Sequence, residues 1–380
     1  MAAGLVLRHG PATLAGLNLT VPPGQITALL GTAGSGKTAL LAILAGFRRA
    51  HGSVCLDGRP IDRTPPHRRG FGVVQQPDTL FARLSLADNV AVPLRLRRVA
   101  RAARSRLVAE ALDLMGIDTA SGRLLPDAAD AGLRARVMLA RALVFGPRVL
   151  LLDEPFEGHD GPARLGLIAA LRRAQTLLGA TTLVATRHGA DALAVADRIA
   201  VLRGGIIEQT GTPAELWDRP GNACVAGLLG ESNRLPGVVE ATEDGIALVR
   251  LACGPLVEAT PVEAPPVEAS PVETVHPETT VGGTNPGRSL QRGDRCVLSV
   301  RPDRIAIAGV PAAEMGETAL DATLVDVQFS GDSLRLVLLI GSGAELVVRR
   351  PAAAGLRGLA IGRSAALAWQ PSHASAFHEA

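Results

Sequence analysis

The eight residues Gly31-Thr32-Ala33-Gly34-Ser35-Gly36-Lys37-Thr38 read G-x-x-x-x-G-K-[ST], and they restrict the possible folds more than any other stretch. Before them runs an apolar, strand-like segment, Gln25-Ile26-Thr27-Ala28-Leu29-Leu30. After them, Ala39-Leu40-Leu41-Ala42-Ile43-Leu44-Ala45 has helical character. Strand, glycine loop and helix in that order are the setting in which the motif means a phosphate-binding loop. The glycines permit backbone angles that bring successive N–H groups onto one anion. The helix start adds the positive end of its dipole. Lys37 is then placed for the β- and γ-phosphates of a nucleoside triphosphate, and the Thr38 hydroxyl for Mg²⁺. Gly31, Thr32, Ala33, Gly34, Ser35, Gly36, Lys37 and Thr38 are the expected cradle.

Hydrolysis would also need carboxylates. Pro147-Arg148-Val149-Leu150-Leu151-Leu152-Asp153-Glu154-Pro155 is an apolar run ending in two acids, the pattern of a strand buried on both faces of a parallel sheet. Asp153 is expected in the Mg²⁺ shell, and Glu154 as the base that orients and deprotonates water. Gln75 comes just after another short strand, where its amide can reach metal or water. Helix (163–178), strand (181–186), helix (190–196) and strand (197–202) then alternate, which predicts an α/β domain with a mainly parallel sheet. Between 84 and 115 the apolar spacing is helical. The arginines there (Arg95, Arg97, Arg98, Arg101, Arg104, Arg106) have no interleaved aromatics, so they read as a solvated face rather than a nucleic-acid surface.

Composition narrows the remainder. The chain has 380 residues, of which 47% are hydrophobic and 20% charged, with a net charge of +3; two or three domains fit that length. No apolar run is long enough to span a bilayer, and the first residues lack the basic start and apolar core of a secretory leader. Cys55, Cys224, Cys253 and Cys296 are too dispersed for a metal pair and fit thiols in a reducing compartment. Beyond 219 the texture changes. Short strands are expected over 235–254 and again from 295, the pattern of a small barrel or sandwich. Between them the repeated Pro-Val-Glu units predict a disordered acidic insert at about 255–290.

The phosphate loop, Gln75, Leu150-Leu151-Leu152-Asp153-Glu154-Pro155 and the segment 196–213 together resemble the ATP-binding subunit of an ABC transporter. Glu215-Leu216-Trp217-Asp218-Arg219-Pro220, the stretch 229–237 and Val300-Arg301-Pro302-Asp303 resemble the importer subgroup that carries a TOBE domain, with Ser232-Asn233-Arg234-Leu235-Pro236-Gly237 most similar to its polyamine-type members. The resemblance implies a P-loop cassette over 1–218 with a RecA-like core and a helical subdomain at about 84–130. It implies a linker at 219–236 and an OB-like TOBE β-barrel domain over 237–380. It further implies ATP and Mg²⁺ as cofactors and two transmembrane permease subunits as partners. A second ATP-binding subunit, expected as a homodimer, and indirectly a solute-binding protein complete the set; no nucleic acid is expected. The location implied is peripheral, on the cytoplasmic face of the inner membrane.

Carried over by position, the chain departs from the family at several points. The Leu-Ser-Gly-Gly-Gln signature, which completes the partner's ATP site, falls on Ala129-Asp130-Ala131-Gly132-Leu133; Asp130, Ala131 and Gly132 are the residues that would face the partner's phosphates. The switch histidine's place holds Arg187, with His188 one residue late, and Arg187 joins Glu154 and Gln75 as the expected catalytic set. The loop after Glu154, Glu157-Gly158-His159-Asp160, keeps only its final aspartate. The chain has no tyrosine, so His9 is expected to stack on adenine. A lost hydroxyl donor to a charged phosphate costs about 1.5–3 kcal/mol. A carboxylate some 4 Å from a phosphate oxygen adds roughly 4 kcal/mol of repulsion at an effective dielectric of 20. Two expectations result: Arg187 offsets Asp130 across a dimer, or the chain is a slow ATPase that needs a second, intact subunit.

Overall fold

The computed structural model describes residues 2–7, 14–49, 51–75, 80–262, 289–310, 319–356 and 358–379. The chain divides into two compact units, Met1–Leu216 and Trp217–Ala380.

The strands of the first unit are β1 (Ala2–Leu7), β2 (Leu14–Leu19), β3 (Ile26–Leu30), β4 (His51–Leu56), β5 (Arg59–Pro60), β6 (Gly72–Val74), β7 (Val149–Asp153), β8 (Thr181–Thr186), β9 (Arg198–Arg203) and β10 (Ile206–Gly211). They form an antiparallel sheet in the order β2-β1-β4-β5 and a six-stranded sheet in the order β10-β9-β3-β8-β7-β6. In the larger sheet β3, β6, β7, β8 and β9 are parallel and β10 is an antiparallel edge. All five residues of β3 are buried, as a strand covered on both faces requires.

The helices are α1 (Lys37–Ala45), α2 (Pro66–Arg69), α3 (Leu86–Leu96), α4 (Arg101–Leu114), α5 (Thr119–Gly122), α6 (Ala131–Leu143), α7 (Gly161–Leu178) and α8 (Gly189–Val195), with α9 (Pro213–Asp218) at the junction. Three capped starts explain where the chain turns into helix. Ser85, Asp130 and Asp160 accept from the backbone N–H three residues on, at the heads of α3, α6 and α7, satisfying donors that a helix start leaves open. The single helical stretch expected from 84 to 115 is two helices, broken at Arg97, whose guanidinium stacks 3.7 Å over the Phe145 ring. That arginine is a packing residue and not only part of a solvated face.

The second unit holds α10 (Ala223–Leu229) and strands β11 (Asn233–Glu243), β12 (Ile246–Leu251), β13 (Leu256–Pro261), β14 (Arg295–Val300), β15 (Ala306–Ala308), β16 (Leu320–Phe329), β17 (Ser333–Ile340), β18 (Ala344–Pro351), β19 (Ser364–Ala368) and β20 (Ala374–His378). A closed barrel, β11-β12-β13-β20-β14, adjoins a five-stranded sheet, β15-β19-β16-β17-β18, over one apolar core. The Asn233 side chain ties the two: its amide donates to Val347 O at 2.8 Å and its oxygen accepts from Val347 N at 2.7 Å.

Two sequence expectations change here. The segment expected as a linker, 219–236, contains α10 and the start of β11. The insert expected from about 255 begins later, because Leu256–Pro261 is a barrel strand in register with β12, Val249 opposite Val257. Val257 and Ala259 face the core, which gives the first Pro-Leu-Val-Glu-Ala unit a partner. The rest of that expectation, 263–288, lies outside the described residues.

Candidate functional site

The parallel register brings the expected site residues to one edge of the sheet. Leu30 is opposite Thr186, Asp153 opposite Ala185, and Val74 opposite Leu152. Gly31, Arg187, Glu154 and Gln75 therefore leave neighbouring strands at their carboxyl ends, the place where open α/β sheets bind ligands. A hydrogen bond from Gly31 N to Thr186 O, 3.2 Å, continues the pairing one step past β3.

The loop itself needs its glycines for two different reasons. Gly34 and Gly36 have φ of 78° and 106°, the left-handed region that side chains disfavour. At Gly31 the constraint is space, since a Cβ would fall against the Leu202 carbonyl oxygen and 2.7 Å from Ser35 Oγ. Lys37 folds back over the cradle, its ammonium donating to Gly31 O at 2.8 Å and Thr32 O at 3.0 Å. It stands 3.6 Å from Glu154 Oε1. Burial lowers the Lys37 pKa, partly countered by Glu154 and Asp153. Burial raises those of Asp153 and Glu154, against the attraction of Lys37.

Asp153 is 7% exposed, and its Oδ1 has no hydrogen-bond partner among the described residues; Ser35 Oγ is likewise without one. The Thr38 side chain hydrogen-bonds the Asp153 carboxylate. A buried carboxylate with an open oxygen beside a threonine hydroxyl fits Mg²⁺, which is held by one or two carboxylates together with substrate phosphates rather than by an all-protein cage. No group of three or more His, Cys, Asp or Glu among the described residues forms such a cage.

Glu154 adopts φ 48°, uncommon for a residue with a side chain. The turn sends its backbone N–H to Ala185 O at 2.9 Å, and its carboxylate accepts from Arg187 N at 3.2 Å. Buried Phe156 anchors the next loop. Glu157 then reaches the end of β8, accepting from Arg187 Nε at 3.1 Å and again from its Nη2, and meeting His188 Nε2 at 3.0 Å. The Arg187 hydrogen bond holds the Glu157 carboxyl below its ordinary value. Arg187, expected to pair with Asp130 of another subunit, is engaged by Glu157 of its own chain.

Asp130 heads α6 and accepts from Leu133 N at 2.7 Å. With Ala131, Gly132, Arg136, His159 and Asp160 it lines a cleft of about 700 Å³ between the start of α6 and α7. Gln75 is half-buried just past β6. His9 lies outside the described residues. Sequence reasoning missed Glu157; the available signal was an acid in the loop after Glu154 and two basic residues after β8.

Residues 14–157 match the ABC transporter family and residues 298–377 the TOBE domain. A spermidine/putrescine import ATP-binding protein of Rubrobacter xylanophilus is 33% identical over 358 residues, 94% of this chain and 87% of that one. The chain belongs to the ABC transporter family. A sulfate/thiosulfate import ATP-binding protein of Mycolicibacterium paratuberculosis is 43% identical to this ABC protein over 229 residues, 60% of this chain. The chain spans 63% of that relative's length, and 65% of its Mycobacterium tuberculosis counterparts. The dimeric structure of MJ0796, a bacterial ABC transporter cassette, shares the cassette fold: TM-score 0.50 and 23% identity over 56% of this chain and 97% of that one. No helix among the described residues is long and apolar enough to cross a membrane.

Proposed function

We propose that this chain is the ATP-binding, energy-coupling subunit of an ABC importer for a small solute, with a polyamine-type solute as its cargo. The observation that carries the reading is the convergence of Lys37, Thr38, Asp153 and Glu154 at one sheet edge. Support for the solute class is that the spermidine/putrescine relatives of Rubrobacter xylanophilus and Trichodesmium erythraeum align over 94% and 90% of the chain. The alignment to the sulfate/thiosulfate relatives stops at 60% of the chain.

In this reading the N–H groups of Gly31–Thr38 and the Lys37 ammonium bind the triphosphate. Thr38, Asp153 and Gln75 would hold Mg²⁺, which when bound neutralises charge on the phosphates. Glu154 accepts a proton from the attacking water; its raised pKa, caused by burial, makes it a better base than a surface glutamate. Arg187 occupies the place beside the γ-phosphate. The partners are two permease subunits and a second ATP-binding subunit, a second copy of this chain, and a solute-binding protein acts through the permeases. The protein then sits at the cytoplasmic face of the inner membrane.

A second reading, an impaired subunit that needs an intact partner, is favoured by Asp130 at the signature and by the Glu157 contact on Arg187. The two are separated by phosphate release from MgATP by the purified chain, alone and as Asp130→Ser, Arg187→His and the double variant. Turnover by the unaltered chain supports the first reading. Tight ATP binding with no turnover until Asp130→Ser is introduced overturns it in favour of the second. Additive effects of the two substitutions would sink the idea that Arg187 offsets Asp130.

A further inference from the structure

We propose that Glu157 is a specificity-determining residue that holds down the site's preference for triphosphate over diphosphate, by competing with the γ-phosphate for the Arg187 guanidinium. The inference rests on the nucleotide-binding reading above and goes beyond it by assigning a role to a residue that the family pattern leaves out.

The geometry defines both sides of the competition. Arg187 is joined to the phosphate loop through its neighbour, since Thr186 O accepts from Gly31 N at 3.2 Å. It is joined to the general base through its own backbone, N to Glu154 Oε2 at 3.2 Å. Its main chain is thus fixed at the cradle while its side chain has room to rotate, half-exposed at 48%. That side chain lies on Glu157, held by two donors on two carboxylate oxygens. This is the fork-on-fork geometry in which arginine binds carboxylates and phosphates alike. A γ-phosphate arriving at Lys37 offers the same guanidinium a more highly charged acceptor of the same shape. A diphosphate offers no such group at that position and leaves Arg187 on Glu157.

The contact with His188 makes Glu157 more than a counter-ion. His188 Nε2 lies 3.0 Å from the same carboxylate, so the two residues after β8 are pinned together, and His188 retains a hold on Glu157 when Arg187 leaves. Phe156, 1% exposed, keeps the loop in place during the exchange. The outcome is a γ-phosphate-dependent transfer of one guanidinium, with a resident carboxylate setting how strongly the triphosphate must bind to win it.

The test is isothermal titration of the full chain with ADP and with the non-hydrolysable analogue adenosine 5′-(β,γ-imido)triphosphate, in excess Mg²⁺, for the unaltered protein, Glu157→Gln, Arg187→Ala and the double variant. Removing the competitor raises the ratio of triphosphate to diphosphate affinity by roughly three- to fivefold, the upper end of what a partly exposed ion pair contributes. In the Arg187→Ala background the same substitution leaves the ratio within about twofold. Without nucleotide, amide hydrogen exchange at 186–189 accelerates in Glu157→Gln. An unchanged ratio in Glu157→Gln, or an equal rise with Arg187 absent, overturns the proposal while leaving nucleotide binding intact. Failure of the unaltered chain to bind either nucleotide overturns the nucleotide-binding reading and this inference together.

Discussion

Lys37 Nζ and Glu154 Oε1 stand 3.6 Å apart at the mouth of the phosphate loop, one side chain 6% and the other 20% exposed. The residue that would bind phosphate is neutralised here by the residue that would take the water's proton. If Glu154 is the base proposed above, a triphosphate arriving at Lys37 would draw the lysine off it and free the carboxylate. Lys37→Ala removes charge-assisted contacts of about 1.5–3 kcal/mol, so the Kd for a fluorescent ATP analogue rises by roughly one to two orders of magnitude. Glu154→Gln keeps the shape and frees the lysine, so the same titration gives equal or tighter binding. Single-turnover phosphate release then falls about 10²–10⁴-fold. Weaker analogue binding by Glu154→Gln than by the unaltered chain would contradict the competition.

Gly31 and Gly34 are needed in one loop for separate physical reasons. Nothing lies within 4 Å of a Cβ at Gly34, where the obstacle is the positive φ alone; at Gly31 the obstacle is backbone, the Leu202 carbonyl. A carbonyl in a parallel strand cannot yield as a flexible side chain does. Gly31→Ala should cost about 1–3 kcal/mol of unfolding free energy as an overpacking change, and Gly34→Ala about 1–2 kcal/mol as left-handed strain. Urea denaturation of both variants checks the order, and nucleotide titration should show the larger loss of affinity for Gly31→Ala, which displaces the loop from β3.

Asp130 carries a structural duty that is independent of the signature role proposed for it. As the cap of α6 it satisfies the Leu133 N–H, and aspartate and serine are both strong caps, whereas alanine is not. Asp130→Ala should therefore lose about 0.5–2 kcal/mol in chemical denaturation, while Asp130→Ser loses far less. Equal stability of the alanine and serine variants would show that the cap contributes nothing.

The phosphate loop, Asp153 and Glu154 were legible in the sequence, because each is a local motif at the end of a recognisable strand. Gln75 could be placed beside Asp153 once the parallel register was known. Glu157 could not be placed, since its contacts are 30 and 31 residues away and depend on the positive φ at Glu154 turning the loop toward β8. β13 was hidden differently. Its Val257 and Ala259 alternate correctly, but they sit in the first copy of a repeat whose later copies set the compositional reading. The alternation within one unit was the better guide, because a strand is decided by pairing with its neighbour, here β12, and not by the composition of the residues C-terminal to it.

Cys296 offers a measurement on the barrel by itself. It lies in β14, opposite Gly237 and His378, with no exposed surface, and burial pushes its thiol up from 9.0 to about 11. A thiol whose folded pKa is raised stabilises the fold fully below 9.0, and that contribution is lost as pH climbs from 9.0 to about 11. The unfolded chain ionises first and is favoured there. The span corresponds to about 2–3 kcal/mol at most. Urea denaturation between about pH 8 and 11 should show stability falling more steeply in the unaltered chain than in Cys296→Ala. At about pH 8, Cys296 should also resist iodoacetamide until urea is added, while Cys55, Cys224 and Cys253, all partly exposed, react in the folded chain. Rapid labelling of Cys296 in the folded chain would show that the barrel opens at that strand without global unfolding.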